Sequence, residues 1–504
     1  MPNTSDSRKL TDRIAQAVQD LPDLDDPRFA LSFDRFADRR VVMLGEASHG
    51  TEEFYRARAA ITRHLVEHHS YTIVAVEADW PDAAKVDRYV RHAKYPGDRE
   101  PPFQRFPTWM WRNTEIRALI EWLRAHNAGI YTKDTRAGFY GLDIYNMSAS
   151  IGAVLEYLDR IDPEASQVAR ERYGCLTPWR ARPESYGRTA LARGYAQCEE
   201  AVVQQCQELL RKRLEYEQND DDAFLDAAQN ARLIASAEGY YRIMYYGGAE
   251  SWNLRDRHMF QTLQNLMDAK GPQAKAIVWA HNSHVGDARY TEMGKSRDEV
   301  NIGQLARQQF GEDVALIGFG THTGTVAASH DWDADVEVTE VNPSLPGSYE
   351  RLCHDTDKER FLLDLSTLGE DFRNRLNEPK LQRFIGVIYR PDTERWSHYA
   401  QVQLAKQFDA YVWLDKTRAV TPLGPEHHEG MPETYPSVSD DQPRASVVPV
   451  LSETHSGRRR LIEDLKATPC SAKCCSRPDV PFPSPRRPRV DHPSTVPVSS
   501  TSSA

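Results

Sequence analysis

Three polar clusters, Glu46-Ala47-Ser48-His49, Glu77-Ala78-Asp79-Trp80 and His281-Asn282-Ser283-His284, each follow directly on a run of apolar residues. Carboxylates and imidazoles at the mouth of buried backbone are partly desolvated, which moves their proton affinities and suits acid–base work. Two further exits, Asp143-Ile144-Tyr145-Asn146 and Gly320-Thr321-His322-Thr323, repeat the pattern. Simple loop solvation would favour Lys, Ser and Gln, whereas Glu, Asp and His dominate here. Asp79 and Ser251 read as ordinary helix N-caps.

A serine hydrolase with a nucleophile elbow needs Gly-x-Ser-x-Gly. In Gly45-Glu46-Ala47-Ser48-His49-Gly50 the serine stands three positions from the first glycine and two from the second, and no other such pattern occurs. No cysteine holds a strand-end position. Water activated by a base is then the leading chemistry. His49 is the natural base, because imidazole titrates near neutral pH. Glu46 or Glu77 would orient that ring or act as the base itself. His281 and His284 would donate to a developing oxyanion. A divalent metal held by His49, His281 and Glu77 is the competing arrangement. No other cofactor is called for. The glycines flanking the first cluster would let the chain turn sharply out of the sheet.

Arg58 shares an apolar helix face with Phe54, Ile61 and Leu65. A charge on that inner face is expected to pair with Glu46 or Glu77, or to meet a substrate oxygen. His64-Leu65-Val66-Glu67-His68 matches a zinc-type His-x-x-Glu-His pattern. It lies about 20 Å down the same helix with no third ligand in view, and reads as a solvated face. Phe106-Pro107-Thr108-Trp109-Met110-Trp111 and the tyrosines around Tyr245 offer walls for a substrate pocket. Trp109, Trp111, Asp143, Tyr145 and Tyr245 are the expected substrate contacts.

The elements that must position these groups are short apolar runs: Val41–Gly45, Tyr71–Glu77, Ala137–Asp143, Ala274–Ala280, Val314–Phe319, Arg383–Tyr389 and Ala410–Asp415. Most are apolar on both faces, as in parallel strands covered by helices on both sides. The expected fold is α/β, a mostly parallel sheet flanked by helices, with ligands at the carboxyl ends of the strands. The core divides into 1–183 and 249–436. Between them, 184–248 reads as an inserted helical hairpin that turns at Gln218–Asp222, with Asp222 as N-cap, and closes at Gly247-Gly248. The stretch 437–504 is rich in Pro and Ser and is expected to be a disordered tail.

A net charge of -11 argues against nucleic acid as a partner. No apolar run is long enough to span a membrane. The polar start lacks a signal-peptide core, and the seven cysteines show no disulfide-framework spacing, so a cytoplasmic protein is expected. Oligomeric state is not legible.

These motifs together resemble the erythromycin esterase family. The resemblance is carried by Gly45–Thr51 with Phe54 and Arg58, Val76–Trp80, Ser251–Met259, Trp279–His284 and Gly386–Pro391, in order, from about residue 10 to Pro436. It implies an α/β domain with an inserted helical hairpin and a deep cleft. It implies hydrolysis of a small-molecule carboxylic ester, in the named members a macrolide lactone, as in antibiotic resistance. By motif position Glu46, His49, Arg58, Glu77, His281 and His284 would form the site, with His49 as general base and no covalent acyl-enzyme. The stretch Arg390–His398 is more similar to the branch labelled for succinoglycan biosynthesis. A non-catalytic carbohydrate- or metabolite-binding relative is the expectation from another class.

Overall fold

The structure is a computed structural model. It describes residues 4–93, 101–180, 182–193, 197–213, 216, 221–245 and 248–424. The expected turn at 218–220, Gly247 and the tail of 437–504 lie outside the described residues.

Thirteen strands are described in chain order: β1 Gln19–Asp20, β2 Val41–Leu44, β3 Ile73–Asp79, β4 Gly138–Asp143, β5 Ala276–Trp279, β6 Val314–Gly320, β7 Thr323–Ala328, β8 Glu337–Val341, β9 Arg360–Asp364, β10 Lys380–Arg383, β11 Tyr399–Val402, β12 Ala410–Leu414 and β13 Lys416–Thr417. Eight form the central sheet in the order β1-β9-β12-β6-β2-β5-β3-β4. From β12 to β4 every pairing is parallel, while β9 and β1 add an antiparallel edge. The fold is therefore α/β, with a large and mostly parallel sheet between helices.

Alternation along the strands explains the two layers. Val41 and Met43 of β2, with Ile73 and Ala75 of β3, enter one core cluster, and Val42, Leu44, Val74 and Val76 enter the other. Side chains on a strand point alternately to opposite faces, so both faces must be apolar when both are covered. Helix Glu52–His69 covers the second face through Phe54, Ile61 and Leu65, all fully buried.

Between β4 and β5 the described residues run through helices from Met147 to Lys270. Helix Asp221–Ile243 packs against Met147–Ile161 and Gln197–Arg211. The expected 184–248 segment thus lies within a longer helical run. Asp222 is the second residue of its helix rather than its cap, and its carboxylate takes a hydrogen bond from Arg91 at 3.1 Å. Cys175 and Cys198 are joined in a disulfide, against the expectation of scattered thiols. No helix among the described residues is long and apolar enough to cross a membrane.

One expected strand is corrected. The run Arg383–Tyr389 does not join the sheet. Its first residue ends β10, which pairs only with β11, and the rest leaves as irregular chain. Ile385 bridges to Ser48 and Ile388 to Ser329. Phe384, Val387 and Ile388 line a cleft, and Val387 and Ile388 are at the same time buried against the second core layer.

Candidate active site

The three clusters meet because β2, β5 and β3 are neighbours in the sheet and end at the same edge. The loop Gly45–Thr51 is held in place by backbone contacts: Gly45 N–H donates to Ile317, Asn282 N–H to the Glu46 carbonyl, and Ile385 N–H to the Ala47 carbonyl. Its glycines serve close approach, not a turn through positive φ. A Cβ on Gly50 would stand 1.8 Å from the Ala327 carbonyl oxygen, and one on Gly45 would stand 2.1 Å from Asn282 Oδ1.

His49 Nδ1 donates to Glu46 Oε1 at 2.9 Å. A carboxylate there fixes the tautomer and leaves the Nε2 lone pair available. Arg58 Nη2 donates to the other oxygen, Glu46 Oε2, at 2.5 Å. Arg58 is fully buried, with Tyr55 and Trp279 rings each 4.6 Å from its guanidinium carbon. It stands behind Glu46 and does not line the cleft, so it acts through its neighbour.

The His281 ring lies 4.9 Å from the His49 ring, centroid to centroid. Its Nδ1 accepts from the Ser283 backbone N–H at 3.3 Å and meets Ser283 Oγ at 2.9 Å. An accepting Nδ1 places the proton of the neutral ring on Nε2, and Nε2 is buried with no hydrogen-bond partner. Burial, then the neighbouring His49, push His281 well below the ordinary histidine range, so it is neutral near pH 7. It is therefore a donor at the cleft whose one competing contact is a weak one to the Ala47 backbone.

Glu77 ties the floor together. Its Oε2 accepts the His281 backbone N–H at 2.8 Å, and its Oε1 accepts from Arg255 Nη2 at 2.7 Å. Arg255 also clasps Asp143 through Nε at 2.9 Å and Nη2 at 2.7 Å. His284 sits between Asp256 on Nδ1 at 2.9 Å and Glu77 on Nε2 at 3.2 Å, with Arg255 Nη1 also 3.0 Å from Nε2. Burial alone would raise the Glu77 carboxyl, but the His284 and Arg255 charges outweigh it and hold it well below the ordinary range. Burial would likewise lower His284, but Asp256 and Glu77 push it up to about 9. In this arrangement Nη1 of Arg255, which can only donate, meets Nε2 while Nδ1–H goes to Asp256; the two carboxylates favour an imidazolium, whose Nε2 proton would have to turn toward Glu77.

Glu46, Glu77, Asp143 and Asp256 face Arg58, Arg255 and His284 in a buried shell, where burial pushes the Asp256 carboxyl up. A proton arriving on His49 would rest against Glu46.

The cleft at this edge has a volume of about 200 Å³, with His49, Glu77, Arg255, His281 and His284 at its floor. Trp252, Trp332, Phe384, Val387 and Trp396 stand among its walls. None of the five expected substrate contacts lines it. Trp109 and Trp111 are buried in the core of the sheet's other layer, Trp109 edge-on to Phe106, whose ring in turn touches Trp332. Asp143 and Tyr145 lie beneath Arg255, and Tyr245 packs toward Arg188. Ser48 Oγ is engaged by Thr51 Oγ1. Asp79 holds the N-cap position of helix Trp80–Val90, but its carboxylate makes no cap hydrogen bond; it takes the Tyr145 N–H at 2.6 Å and pairs with Arg105. Ser251 lies inside helix Glu250–Lys270, whose cap position is Ala249. His322 stacks on His354 at 3.5 Å and does not line the cleft.

Both Glu77 oxygens are engaged, and Nδ1 of His49 and of His281 are taken by Glu46 and Ser283. His49, His281 and Glu77 do not bring three ligand atoms together, and two positive groups already stand on Glu77. As placed, these three side chains form no ready three-ligand set.

Reading strand exits alone missed Arg255, Asp256 and Trp252, whose indole stacks on His284 at 4.5 Å. All three stand on helix Glu250–Lys270. With Met259 they follow the spacing 252, 255, 256, 259, one face of a helix.

A family model for erythromycin esterase matches residues 66–417. The chain belongs to the erythromycin esterase family. YbfO of Bacillus subtilis (strain 168) is 22% identical over 404 residues, covering 75% of this chain and 83% of that protein. Erythromycin esterase type II of Escherichia coli is 22% identical over 407 residues, covering 75% of this chain and 90% of the relative. Among solved structures, a succinoglycan biosynthesis protein superposes with a TM-score of 0.69 at 19% identity, over 83% of this chain and 99% of its own. An erythromycin esterase mutant in its open conformation gives 0.59 at 17% identity, over 80% and 98%. At such identities the likeness to these structures is one of fold. Membership of the erythromycin esterase family makes the chain a hydrolase-type protein.

Proposed function

We propose that the protein hydrolyses a carboxylic ester by attack of water activated on His49, without an acyl-enzyme and without a metal. One observation carries this reading. The Nε2 of His49, free because Glu46 holds Nδ1, shares a cleft with the unpartnered Nε2–H of His281. His49 Nε2 takes a proton as the water oxygen bonds to the acyl carbon. The carbonyl oxygen becomes an oxyanion, and His281 Nε2–H donates to it. Collapse breaks the bond to the alkoxide, which leaves with the proton from His49. The products are an acid and an alcohol, and the imidazolium formed in between rests against the Glu46 carboxylate.

Ser283 stands at the cleft against His281, but it fits a nucleophile poorly. Its partner His281 is held neutral and weakly basic, and no carboxylate supports that ring. The test is hydrolysis in H₂¹⁸O with mass spectrometry of protein and product. Label in the acid, no acylated protein and loss of turnover in His49→Ala support the mechanism. An acyl group on Ser283, or full activity of His49→Ala, would overturn it.

The substrate reading follows from space. Pockets for drug-sized ligands occupy roughly 300–1,000 Å³, and this cleft, at about 200 Å³, admits a small acyl group or the edge of a larger ring. A macrolide lactone is the second reading, favoured by the likeness to the Escherichia coli esterases. A panel of simple esters and macrolides, scored for a mass gain of one water, separates the two. Binding across the panel without turnover would instead mark a non-catalytic relative.

A further inference from the structure

The His-x-x-Glu-His stretch on helix Glu52–His69 is solvated at Glu67 and His68, as its sequence indicates, but not at His64. His64 is buried, with 10% of its side chain exposed, whereas His68 is 60% exposed. His64 Nε2 points at Asp34 Oδ1 at 2.5 Å, and His69 Nε2 reaches the same oxygen at 2.9 Å. Asp34 comes from a separate element, the short 3-10 turn Asp34–Phe36. The third ligand absent from the local sequence is therefore supplied from 30 residues upstream. The three ligand atoms lie within 4.8 Å of one another, and among the described residues no other group of three such side chains does.

We propose that Asp34, His64 and His69 bind a divalent cation of the zinc class. Two imidazole nitrogens and one carboxylate oxygen are a borderline-soft donor set, suited to zinc and unlike the all-oxygen sets of calcium and magnesium. Bonds of about 2.0–2.2 Å in a tetrahedron put ligand atoms roughly 3.3 Å apart. The present contacts need only open by less than about 1 Å to admit the ion. Each neutral ring then moves its proton from Nε2 to Nδ1, and a charged ring releases one proton. Asp34 and His69 are 47% and 27% exposed at their side chains, so solvent reaches the fourth position. Lys275 donates to the carbonyls of Ala37 and His69 at 2.7 and 3.3 Å.

This site is remote from the cleft. The helix has 18 residues, about 27 Å of length, and the proposed catalytic loop lies at its other end. The ion would clamp the helix end to the Asp34 turn, so its role is structural and its test needs no substrate. The full-length protein is titrated with ZnCl₂ by calorimetry and thermal melting, and crystals grown with ZnCl₂ are measured at the zinc edge. The expected results are an anomalous peak among Asp34, His64 and His69 and a rise in melting temperature. Asp34→Asn should weaken binding at least tenfold, and His64→Gln/His69→Gln should abolish the rise, while His281→Ala keeps both. A peak only at other side chains, no zinc-dependent shift, or unaltered binding in both the asparagine and the double variant would overturn the proposal.

Discussion

Replacing Glu46 by Gln separates two roles that the structure gives this carboxylate. When His49 takes a proton from water, the new charge and the carboxylate sit about 4 Å apart, an attraction of about 4 kcal/mol at an effective dielectric of about 20. Arg58 on the other carboxylate oxygen offsets part of it. A net loss of about 2–3 kcal/mol lowers kcat roughly 30- to 150-fold. Independently, the substitution leaves the fully buried Arg58 guanidinium without its anion, which costs about 3–5 kcal/mol of stability. The double variant Glu46→Gln/Arg58→Met removes both charges. It should regain most of the stability and none of the rate. The assay is kcat on whichever ester the panel identifies, beside urea unfolding of the same preparations. A folded Glu46→Gln enzyme within threefold of wild-type kcat, or a double variant that recovers rate together with stability, refutes the reasoning.

Four further outcomes follow from the same geometry. His281→Ala should lower kcat about 100- to 1,000-fold with little change in KM, the loss of one oxyanion donor; steady-state kinetics decides. Ser283→Ala should stay within about tenfold of wild type, since Ser283 only positions the His281 ring, and complete inactivity would contradict this. Gly50→Ala drives a Cβ into the Ala327 carbonyl and should cost at least about 1–3 kcal/mol in urea unfolding, with activity falling as the loop shifts. The fourth concerns pH. His284, raised to about 9 in the folded state from an ordinary 6.5, contributes stability that is complete below about pH 6.5 and is lost as pH climbs through 9. That amounts to about 3 kcal/mol, and unfolding curves across this window should flatten in His284→Asn; equal losses in both proteins would count against the imidazolium.

The sheet was legible because its central strands are continuous apolar runs, and the exits were legible because ionisable residues follow them without a spacer. Arg58 was found by its place on an apolar helix stripe. The same argument applied to Trp252, Arg255 and Asp256 finds the floor of the cleft, but these residues follow no strand. The segment Phe384–Tyr389 shows the limit of apolar runs as a signal. A cleft wall and a buried strand share a composition, and only Gly386 and Pro391 mark the difference. Trp109 fills the core, as large aromatic side chains do, and Trp111 lines a separate cavity with Phe103 and Arg112, so neither reaches the His49 cleft. The antiparallel edge was missed because Arg360–Asp364 is short and bounded by charges. The ligand from Asp34 was invisible because only the folded chain brings a turn against the end of a helix.

A single hydrogen bond, from the His281 N–H to Glu77, joins residues 204 positions apart. The strand that carries His281 enters the sheet between two strands laid down far earlier in the chain, after all the intervening helices. Closing so long a loop is entropically costly and must precede any reward from the contact. During synthesis the early strands therefore wait, with a gap at the centre of their sheet, for a partner that emerges late. Such a gap exposes unpaired strand edges to aggregation. Recovery of hydrolysis on refolding would then report the last step of assembly and lag behind the return of helical signal.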